Sequence, residues 1–393
     1  MERDLNPFLD TGNAREPLPS QLFLNPYLPE STRKCWQKTF QQICPEPGFW
    51  GIATSGTTQL LSKIVVLSQT ALLTSAQAVN QHLQVTSADI WLHCLPDFHV
   101  GGLGIWVRSA LSQSRVVKPL DFKWSAQRCL QELKCSGATL MSLVPTQVYD
   151  LVKDQCQAPV ELRAVIVGGG SLSPHLYQQA RELGWPLLPS YGLTECSSQV
   201  ATASLASLEN NSFPLYLPVL SHMEFKLSSH QELMIRSSSL LTQYILMDEK
   251  GNGVKQWDPK VEGWFITEDR AYGRENEIQL LGRKDDQVKI LGELVNLSYL
   301  ENRLLQKANE LRMEPAVTIF PIKNSRQGAE LILVYETSRF YSQEAKELLD
   351  LFNEDLLPFQ RIKRSVGLPQ LPRSPMGKIL RLQLQNHLEL EFK

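Results

Sequence analysis

Short β-branched runs alternate with amphipathic helical stretches along the middle of the chain, over residues 51–280. Residues 63–67 have the composition of a buried strand, and the stretch 68–83 follows directly. The apolar residues of that stretch share one face at helical spacing; they are Leu72, Leu73, Ala76, Val79 and Leu83. The pattern predicts a strand followed by a helix.

A second strand and helix are joined by a run of glycines. The β-branched residues 163–167 lead into Gly168-Gly169-Gly170, and a helix is predicted with Ser173 as N-cap and Pro174 at its first position. Repeated alternation of this kind favours an α/β fold with a mainly parallel sheet covered by helices. Ligand loops lie at the carboxyl ends of such strands, so the glycine turn is a predicted ligand wall. It is not a dinucleotide fingerprint, because Ser173 stands at the third glycine position.

The order of elements changes after residue 285. The pattern predicts a helix at 298–307, strands at 316–320 and 330–335, and a helix at 342–356. The last helix has a predicted buried stripe of Ala345, Leu348, Leu349, Phe352 and Leu356. We therefore expect a large domain over 1–283 and a small α+β domain over 284–393, with a hinge near 282–286. Residues 1–48 predict loops and short helices.

Composition excludes several classes of partner. Lys and Arg total 39 against 41 Asp and Glu in 393 residues, so no basic excess favours nucleic acid or an anionic membrane. Seven cysteines without a Cys-x-x-Cys pair indicate reduced thiols. No leader pattern or long apolar run is present, which predicts a cytoplasmic protein without a membrane span. His93 and Cys94 are adjacent and lack a completing zinc set, so packing is expected for His93.

Four motifs occur in a fixed order from residue 190 onward. They are Ser190-Tyr191-Gly192-Leu193-Thr194-Glu195, then residues 263–269 (GWFITED), 282–289 (GRKDDQVK) and 372–378 (PRSPMGK). The ordered set resembles the adenylate-forming superfamily of acyl-CoA synthetases, luciferases and peptide-synthetase adenylation domains, from about residue 50 onward. The resemblance implies an acid-CoA ligase that uses ATP, Mg²⁺ and coenzyme A through an acyl-adenylate.

The first motif contains the residues that the resemblance assigns to the nucleotide and to magnesium. The resemblance implies that Tyr191 lies against adenine, that Thr194 bonds phosphate and that Glu195 holds magnesium. Gly192 and the glycine turn belong to the same implied pocket. Without the other motifs, the segment would be an ordinary strand end with a packed tyrosine and a surface acid.

The later motifs supply the remaining implied site residues. Asp269 resembles the acid that accepts both ribose hydroxyls, although Glu268 stands where the family has glycine. Arg283 resembles the arginine that contacts ribose and phosphate, and Asp285 resembles the hinge residue. Gly292 resembles the glycine of the pantetheine tunnel. Lys378 resembles the mobile lysine that bridges the substrate carboxylate and the α-phosphate.

The segment Thr54-Ser55-Gly56-Thr57-Thr58 resembles the phosphate loop of the family, whose hydroxyls and amides hold the β- and γ-phosphates. After Thr58 the segment no longer matches the phosphate loop of the family. Gln59 replaces a glycine, Leu61 replaces a proline, and the lysine comes one place later than in the family, at Lys63. Either the loop is shifted with the same role, or its grip on pyrophosphate is weakened.

Residues near the acyl pocket narrow the resemblance further. His99 resembles the family histidine beside the acyl pocket. The segments 142–147 and 191–199 resemble the o-succinylbenzoate-CoA ligases, which implies that Ser198, and secondarily Thr146, bind the second carboxylate of the acyl group. Both could equally be capping or packing residues. Only 53 residues precede Thr54, so a shortened N-terminal region is expected. Two alternatives stay open: an aryl- or fatty-acyl-CoA ligase, and a non-catalytic nucleotide or acyl-adenylate binding protein. The oligomeric state is left open.

Overall fold

The computed structural model describes residues 17–54, 62–119, 123–248, 250, 254–284, 287–291, 293–311, 313, 316–324, 326, 328–373 and 379–391. The chain divides into two compact units. The first comprises Met1–Lys226, Met234–Ile266 and Gly273–Gln279. The second comprises Leu227–Leu233, Thr267–Tyr272 and Leu280–Lys393.

The strands of the described residues are β1 (Gln21–Phe23), β2 (Phe49–Thr54), β3 (Ser62–Ser68), β4 (Ile90–Leu92), β5 (Arg115–Val117), β6 (Leu140–Leu143), β7 (Ala164–Val167), β8 (Leu187–Leu193), β9 (Ser198–Thr202), β10 (Leu217–Pro218), β11 (Glu224–Leu227), β12 (Glu232–Arg236), β13 (Gln243–Met247), β14 (Lys255–Trp257), β15 (Phe265–Arg274), β16 (Glu277–Arg283), β17 (Gln287–Ile290), β18 (Glu293–Asn296), β19 (Val317–Asn324), β20 (Gly328–Glu336) and β21 (Arg364–Leu368). The helices are α1 (Glu30–Ile43), α2 (Gln69–His82), α3 (Val100–Ser112), α4 (Ala126–Ser136), α5 (Pro145–Lys153), α6 (Pro174–Glu182), α7 (Leu297–Glu310), α8 (Ser342–Glu354) and α9 (Arg381–Glu391).

A six-stranded sheet of order β5-β4-β6-β7-β8-β9 forms the centre of the first unit. Its strands pair in parallel except for β9, which is antiparallel to β8. Apolar residues of α4, α5 and α6 pack on one face, among them Cys129, Leu151 and Tyr177, each no more than 1% exposed. Loops at the carboxyl ends of β6, β7 and β8 therefore meet at one edge.

The two predicted strand and helix units are confirmed. Ser68 caps α2 by accepting a hydrogen bond from the amide of Ala71 at 3.0 Å. Ser173 caps α6 by accepting one from the amide of Leu176 at 3.2 Å, with Pro174 as the first helical residue. Gly184 follows α6 with φ of +85°, a conformation that glycine adopts without strain.

The alternation of strands and helices does not continue to residue 280 as expected. From β9 onward the described chain of the first unit contains strands and a single 3-10 helix, Leu205–Glu209. A second sheet has the order β1-β2-β3-β13-β14, and β13 pairs antiparallel with both β3 and β14. A third has the order β10-β16-β15-β12-β11. The β-branched runs look alike in parallel and antiparallel sheets, so periodicity does not separate them.

The expectation of loops and short helices for residues 1–48 is wrong at α1, and residues 1–16 lie outside the described residues. Helix α1 has 14 residues, and it buries Trp36 and Phe40 in a cluster with Leu22, Ile64 and Ile245. Trp36 and Phe40 are four residues apart, so they lie on one helical face. The polar residues between them belong to the outer face of the same helix.

The second unit contains a three-stranded sheet of order β19-β20-β21 and the β17–β18 hairpin. Alternate residues of β20 enter different clusters: Leu331 and Leu333 pack with α7 and α8, while Ile332 and Val334 pack with α9. The predicted helices and strands are confirmed; α7, β19 and β20 are longer than predicted, and α8 ends at Glu354, two residues before its predicted end. The predicted stripe of α8 is buried.

An ion pair between half-buried Arg163 and buried Asp89 joins the start of β7 to the loop before β4. Arg163 donates from Nε and Nη2 to the two carboxylate oxygens of Asp89 at 2.8 and 2.9 Å, and from Nη1 to the carbonyl of Leu83 at 2.8 Å. Burial raises the pKa of Asp89, but hydrogen bonds from Arg163, Thr86 and Thr139 outweigh it and lower the pKa to about 2.

We expect Arg163→Met to lower the free energy of unfolding by about 2 kcal/mol near neutral pH, because Asp89 would stay buried without its main donor. The depressed pKa means that Asp89 stabilises the fold above its ordinary value of 3.8, and that this contribution is lost as the pH falls through about 2. Urea unfolding should show the difference between the two proteins narrowing below about pH 4. A difference independent of pH would contradict this account, and Lys34→Met, in an exposed pair with Glu30, is the control.

No described helix is long and apolar enough to cross a membrane. All seven cysteines carry free thiols, and five of them are buried in the first unit: Cys44, Cys94, Cys129, Cys156 and Cys196.

Candidate nucleotide and acyl site

The segment from Tyr191 to Ser198 forms a tight corner at the carboxyl end of β8. The strand ends at Leu193, one turn of 3-10 helix spans Thr194–Cys196, and β9 returns antiparallel. A Cβ at Gly192 would lie 2.0 Å from the carbonyl oxygen of Ser198, so only glycine fits there. Ser197 turns the chain with φ of +60°. The corner holds Tyr191, Thr194 and Glu195 half-buried.

Glu195 is bonded through one of its two carboxylate oxygens. Its Oε1 accepts from Lys63 Nζ at 3.2 Å and from the Tyr244 hydroxyl at 2.7 Å. No described residue bonds Oε2. A carboxylate with one open oxygen suits Mg²⁺, which binds through one or two carboxylates, substrate phosphates and water. Among the described residues, no three His, Cys, Asp or Glu side chains cluster as a metal site of their own.

The loops after β6 and β7 lie beside this corner. Gly168 donates its amide to the carbonyl of Leu143, and Gly169 and Gly170 are exposed. Of the three glycines, only Gly169 has a left-handed conformation, with φ of +77°. Thr146 is exposed in the first turn of α5, next to the proline that approaches the Gly170 Cβ position at 3.6 Å. The turn thus offers open backbone to a flat ligand.

The predicted phosphate loop is described only at its ends. Thr54 is the last residue of β2, and its hydroxyl donates to the carbonyl of Lys63 at 3.1 Å. Ser55, Gly56, Thr57 and Thr58 lie outside the described residues, as do Gln59 and Leu61. Lys63 is described on β3, with its ammonium on Glu195.

His99 and His93 flank the start of α3 in different ways. His99 is half-buried against the ring of Phe98, whose centroid is 4.5 Å away, and burial lowers the pKa of His99. No described group bonds its Nε2. His93 is buried, with Nε2 at 3.0 Å from Asp97 Oδ1 and 3.1 Å from the carbonyl of Gly102. The structure thus places His93 as a packing residue, while His99 keeps an uncommitted nitrogen.

Arg108 is a buried cation that the sequence analysis missed. It is 2% exposed on α3, and its Nη2 donates to the hydroxyl of Ser198 at 2.9 Å. Its guanidinium lies 5.7 Å from the ring centroid of Trp91, and its Nε has no described partner. Burial lowers the pKa of Arg108 to about 10. No ion pair to Arg108 occurs within the described chain. The sequence feature that could have indicated a buried cation was the single arginine in the mostly apolar helix α3.

The residues predicted to bind ribose and to form the hinge belong to the second unit. Asp269 lies half-buried on β15, and its amide donates to the hydroxyl of Thr267 at 3.1 Å. Arg283 ends β16, and its Nη2 donates to the carboxylate of Glu268. Glu268 is the residue that replaces the family glycine. Asp285, Gly292 and Lys378 lie outside the described residues.

We expect Glu268→Gln to tighten AMP binding by up to about fivefold, because it releases Arg283 from an exposed pair worth no more than about 1 kcal/mol. Isothermal titration with AMP measures the change. Glu224→Gln, which breaks the comparable pair with Arg236, is the matched control and should leave AMP affinity unchanged. Weaker AMP binding in Glu268→Gln would show that Glu268 supports the site.

A family model described as AMP-binding enzyme matches residues 31–239, which span the parallel sheet and the Tyr191–Ser198 corner. The chain belongs to this family. The AMP-binding enzymes most similar to it include the 2-succinylbenzoate–CoA ligases of Bacillus subtilis strain 168, 27% identical over 79% of this chain, and of Escherichia coli K12, 29% identical over 86%. The chain spans 63% and 68% of the lengths of these two relatives.

Solved structures of AMP-binding enzymes agree with the sequence matches. The o-succinylbenzoate CoA synthetase of Bacillus subtilis, in complex with its acyl-adenylate intermediate, is 25% identical and superposes with a TM-score of 0.72. The match covers 86% of this chain and 68% of that one. The α/β fold expected from the sequence is therefore the fold of this family.

Proposed function

We propose that this chain is an acid-CoA ligase that converts o-succinylbenzoate, ATP and coenzyme A into o-succinylbenzoyl-CoA, AMP and pyrophosphate. The ATP- and Mg²⁺-dependent class is supported by family membership and by the Thr194–Glu195 corner. The acyl group is supported by the relatives and by one observation in the fold, the buried Arg108.

Arg108 favours a substrate with a second carboxylate. A fully buried guanidinium without a described counter-ion is costly unless an anion completes it. The succinyl carboxylate would be activated, and the aromatic carboxylate would remain ionised and accept from Arg108. Ser198, which already accepts from Arg108, orients the guanidinium. A fatty acid or a simple benzoate would leave the cation uncompensated.

In the first step, which forms the acyl-adenylate, the site residues act mainly by neutralising charge. Two anions, a carboxylate and ATP, must approach, so the site has to neutralise developing phosphate charge. Magnesium, when bound, would polarise and neutralise the phosphates, and the open Oε2 of Glu195 would hold it. The carboxylate oxygen attacks the α-phosphorus, pyrophosphate leaves, and Lys378 balances the charge that builds on the α-phosphate. Asp269 and Arg283 bind the ribose end.

The second step, which forms the thioester, requires few of the described site residues. The coenzyme A thiolate attacks the activated carbonyl carbon, and AMP leaves with the electrons of the acyl–phosphate bond. We keep the prediction that the domain 284–393 turns about Asp285 between the two steps. His99, whose Nε2 has no described partner, keeps its predicted role beside the acyl group.

Mass spectrometry of thioester products tests the acyl assignment. The protein is incubated with ATP, Mg²⁺ and coenzyme A plus o-succinylbenzoate, benzoate or a medium-chain fatty acid. Thioester with o-succinylbenzoate alone supports the proposal. Comparable thioester with benzoate or the fatty acid would instead make the chain an aryl- or fatty-acyl-CoA ligase.

A non-catalytic nucleotide or acyl-adenylate binding protein is the second candidate. The replacements Gln59 and Leu61 in the phosphate loop favour it, because they alter the segment that holds pyrophosphate in the resembled family. It predicts AMP binding without any thioester. The proposed compartment is the cytoplasm, where ATP and coenzyme A are available and the seven thiols stay reduced.

A further inference from the structure

Three side chains from separate parts of the first unit form what we term the Lys63 cluster: Lys63 on β3, Glu195 after β8 and Tyr244 on β13. The Lys63 ammonium and the Tyr244 hydroxyl both donate to Oε1 of Glu195. The ammonium also lies 4.4 Å from the centroid of the Tyr244 ring. The carboxylate assigned to magnesium is thus already paired with a cation of the chain.

We propose that Lys63 is a built-in counter-cation of Glu195 that a divalent cation must displace, and that Tyr244 holds the carboxylate in place during the exchange. This inference rests on the proposed function, which assigns magnesium to Glu195. It explains why the lysine stands one place later than in the phosphate loop that the segment resembles.

Strand register explains how Lys63 reaches Glu195. On β3, Lys63 pairs with Thr54 of β2 and with Leu246 of β13. Successive side chains of a strand point to opposite faces, so a lysine at 62 would point away from the face that Lys63 uses. The one-residue displacement therefore moves the ammonium from one side of the sheet to the side of Glu195.

The positive charge of Lys63 makes it compete with a divalent cation for Glu195. The Glu195 side chain is only 13% exposed, so water screens its surroundings weakly. A divalent cation on Oε2 would lie close to the ammonium on Oε1, and the two would repel each other. The polyphosphate of ATP can relieve this repulsion, because the flexible stem of Lys63 lets its ammonium turn from Glu195 to a phosphate oxygen. Metal and nucleotide would then bind together, and the metal alone would bind poorly.

Tyr244 holds the Glu195 carboxylate in place while the divalent cation displaces the Lys63 ammonium. Its ring lies between the Lys63 ammonium and Trp257, whose ring centroid is 5.0 Å away. The residue is 6% exposed, and its hydroxyl is 2.7 Å from Oε1. When the ammonium leaves, this hydrogen bond keeps Glu195 oriented, as outer-shell donors do for metal-binding carboxylates.

Mn²⁺ titrated into the nucleotide-free protein and followed by electron paramagnetic resonance tests the inference. Lys63→Met should bind Mn²⁺ about tenfold more tightly than the unsubstituted protein, and the gain should vanish when Glu195→Gln is added. Lys63→Arg should keep the weak binding, because it keeps the cation. Lys255→Met is the charge-matched control, since Lys255 lies near the ring of Trp257 on β14 and not on Glu195.

Tyr244→Phe should change Mn²⁺ binding in the opposite direction, which separates positioning from a general loosening of the fold. Thermal melts of each variant check folding, and Lys63→Gln replaces Lys63→Met if the latter does not fold. Equal Mn²⁺ affinity in Lys63→Met and the unsubstituted protein, including no binding by either, would overturn the inference. ATP binding is measured separately, so its absence would count against the proposed function instead.

Discussion

Replacing Arg108 by methionine should lower kcat/KM for o-succinylbenzoate by about a hundredfold or more, while leaving ATP affinity unchanged. Truncating one partner of a buried, hydrogen-bonded charge pair typically costs 2–5 kcal/mol, which corresponds to about 30- to 4,000-fold. Here the other partner would be the aromatic carboxylate, left without its cation in the pocket beside Ser198.

The same substitution should not weaken the fold. Arg108 is 2% exposed, and its guanidinium has one described hydrogen bond and no described counter-ion, so the free protein carries the cost of its burial. Methionine removes that charge and fills much of the volume, so the free energy of unfolding should be unchanged or slightly higher. Reduced stability together with unaltered kinetics would make Arg108 a structural residue. Ser198→Ala, which removes the hydroxyl partner alone, should have a smaller kinetic effect in the same direction.

Replacing Lys378 by alanine should slow acyl-adenylate formation by about a hundred- to a thousandfold, the usual effect of losing one group that stabilises transition-state charge. Transfer from supplied o-succinylbenzoyl-adenylate to coenzyme A should be spared, because the resemblance gives the lysine a role in the first step only. The two half-reactions are measured separately by pyrophosphate release and by thioester formation.

The control for Lys378 is Lys363→Ala, an exposed lysine in the same compact unit. It should leave both half-reactions unchanged. Equal loss of both half-reactions in Lys378→Ala would contradict a role confined to adenylation.

Local features of the chain were predictable where local chemistry decides them. Helix α2, the cap of α6 and the stripe of α8 follow from spacing and from hydrogen bonds between near neighbours. Helix α1 was missed because its aromatic residues are embedded in polar sequence. The antiparallel strands after β9 were missed because strand direction is set by partners far along the chain.

The site residues likewise divide into those that local sequence indicates and those that distant parts of the chain bring together. The motif around Tyr191 and Glu195 is contiguous, so the sequence indicates it directly. The bond from Lys63 to Glu195 joins residues 132 positions apart, and that from Arg108 to Ser198 spans 90. Both pairs depend on which strand lies beside which, and a single sequence does not reveal this. The contact with Arg108 adds a supporting role for Ser198. Its role as a direct substrate ligand stays a prediction.

Pyrophosphate release with ATP, Mg²⁺ and o-succinylbenzoate, against the same mixture without acid and against Lys378→Ala, tests the proposed ligase activity most directly. The proposal predicts release that requires o-succinylbenzoate and is largely lost in Lys378→Ala. Nucleotide binding without acid-dependent pyrophosphate release would contradict it and identify a binding protein.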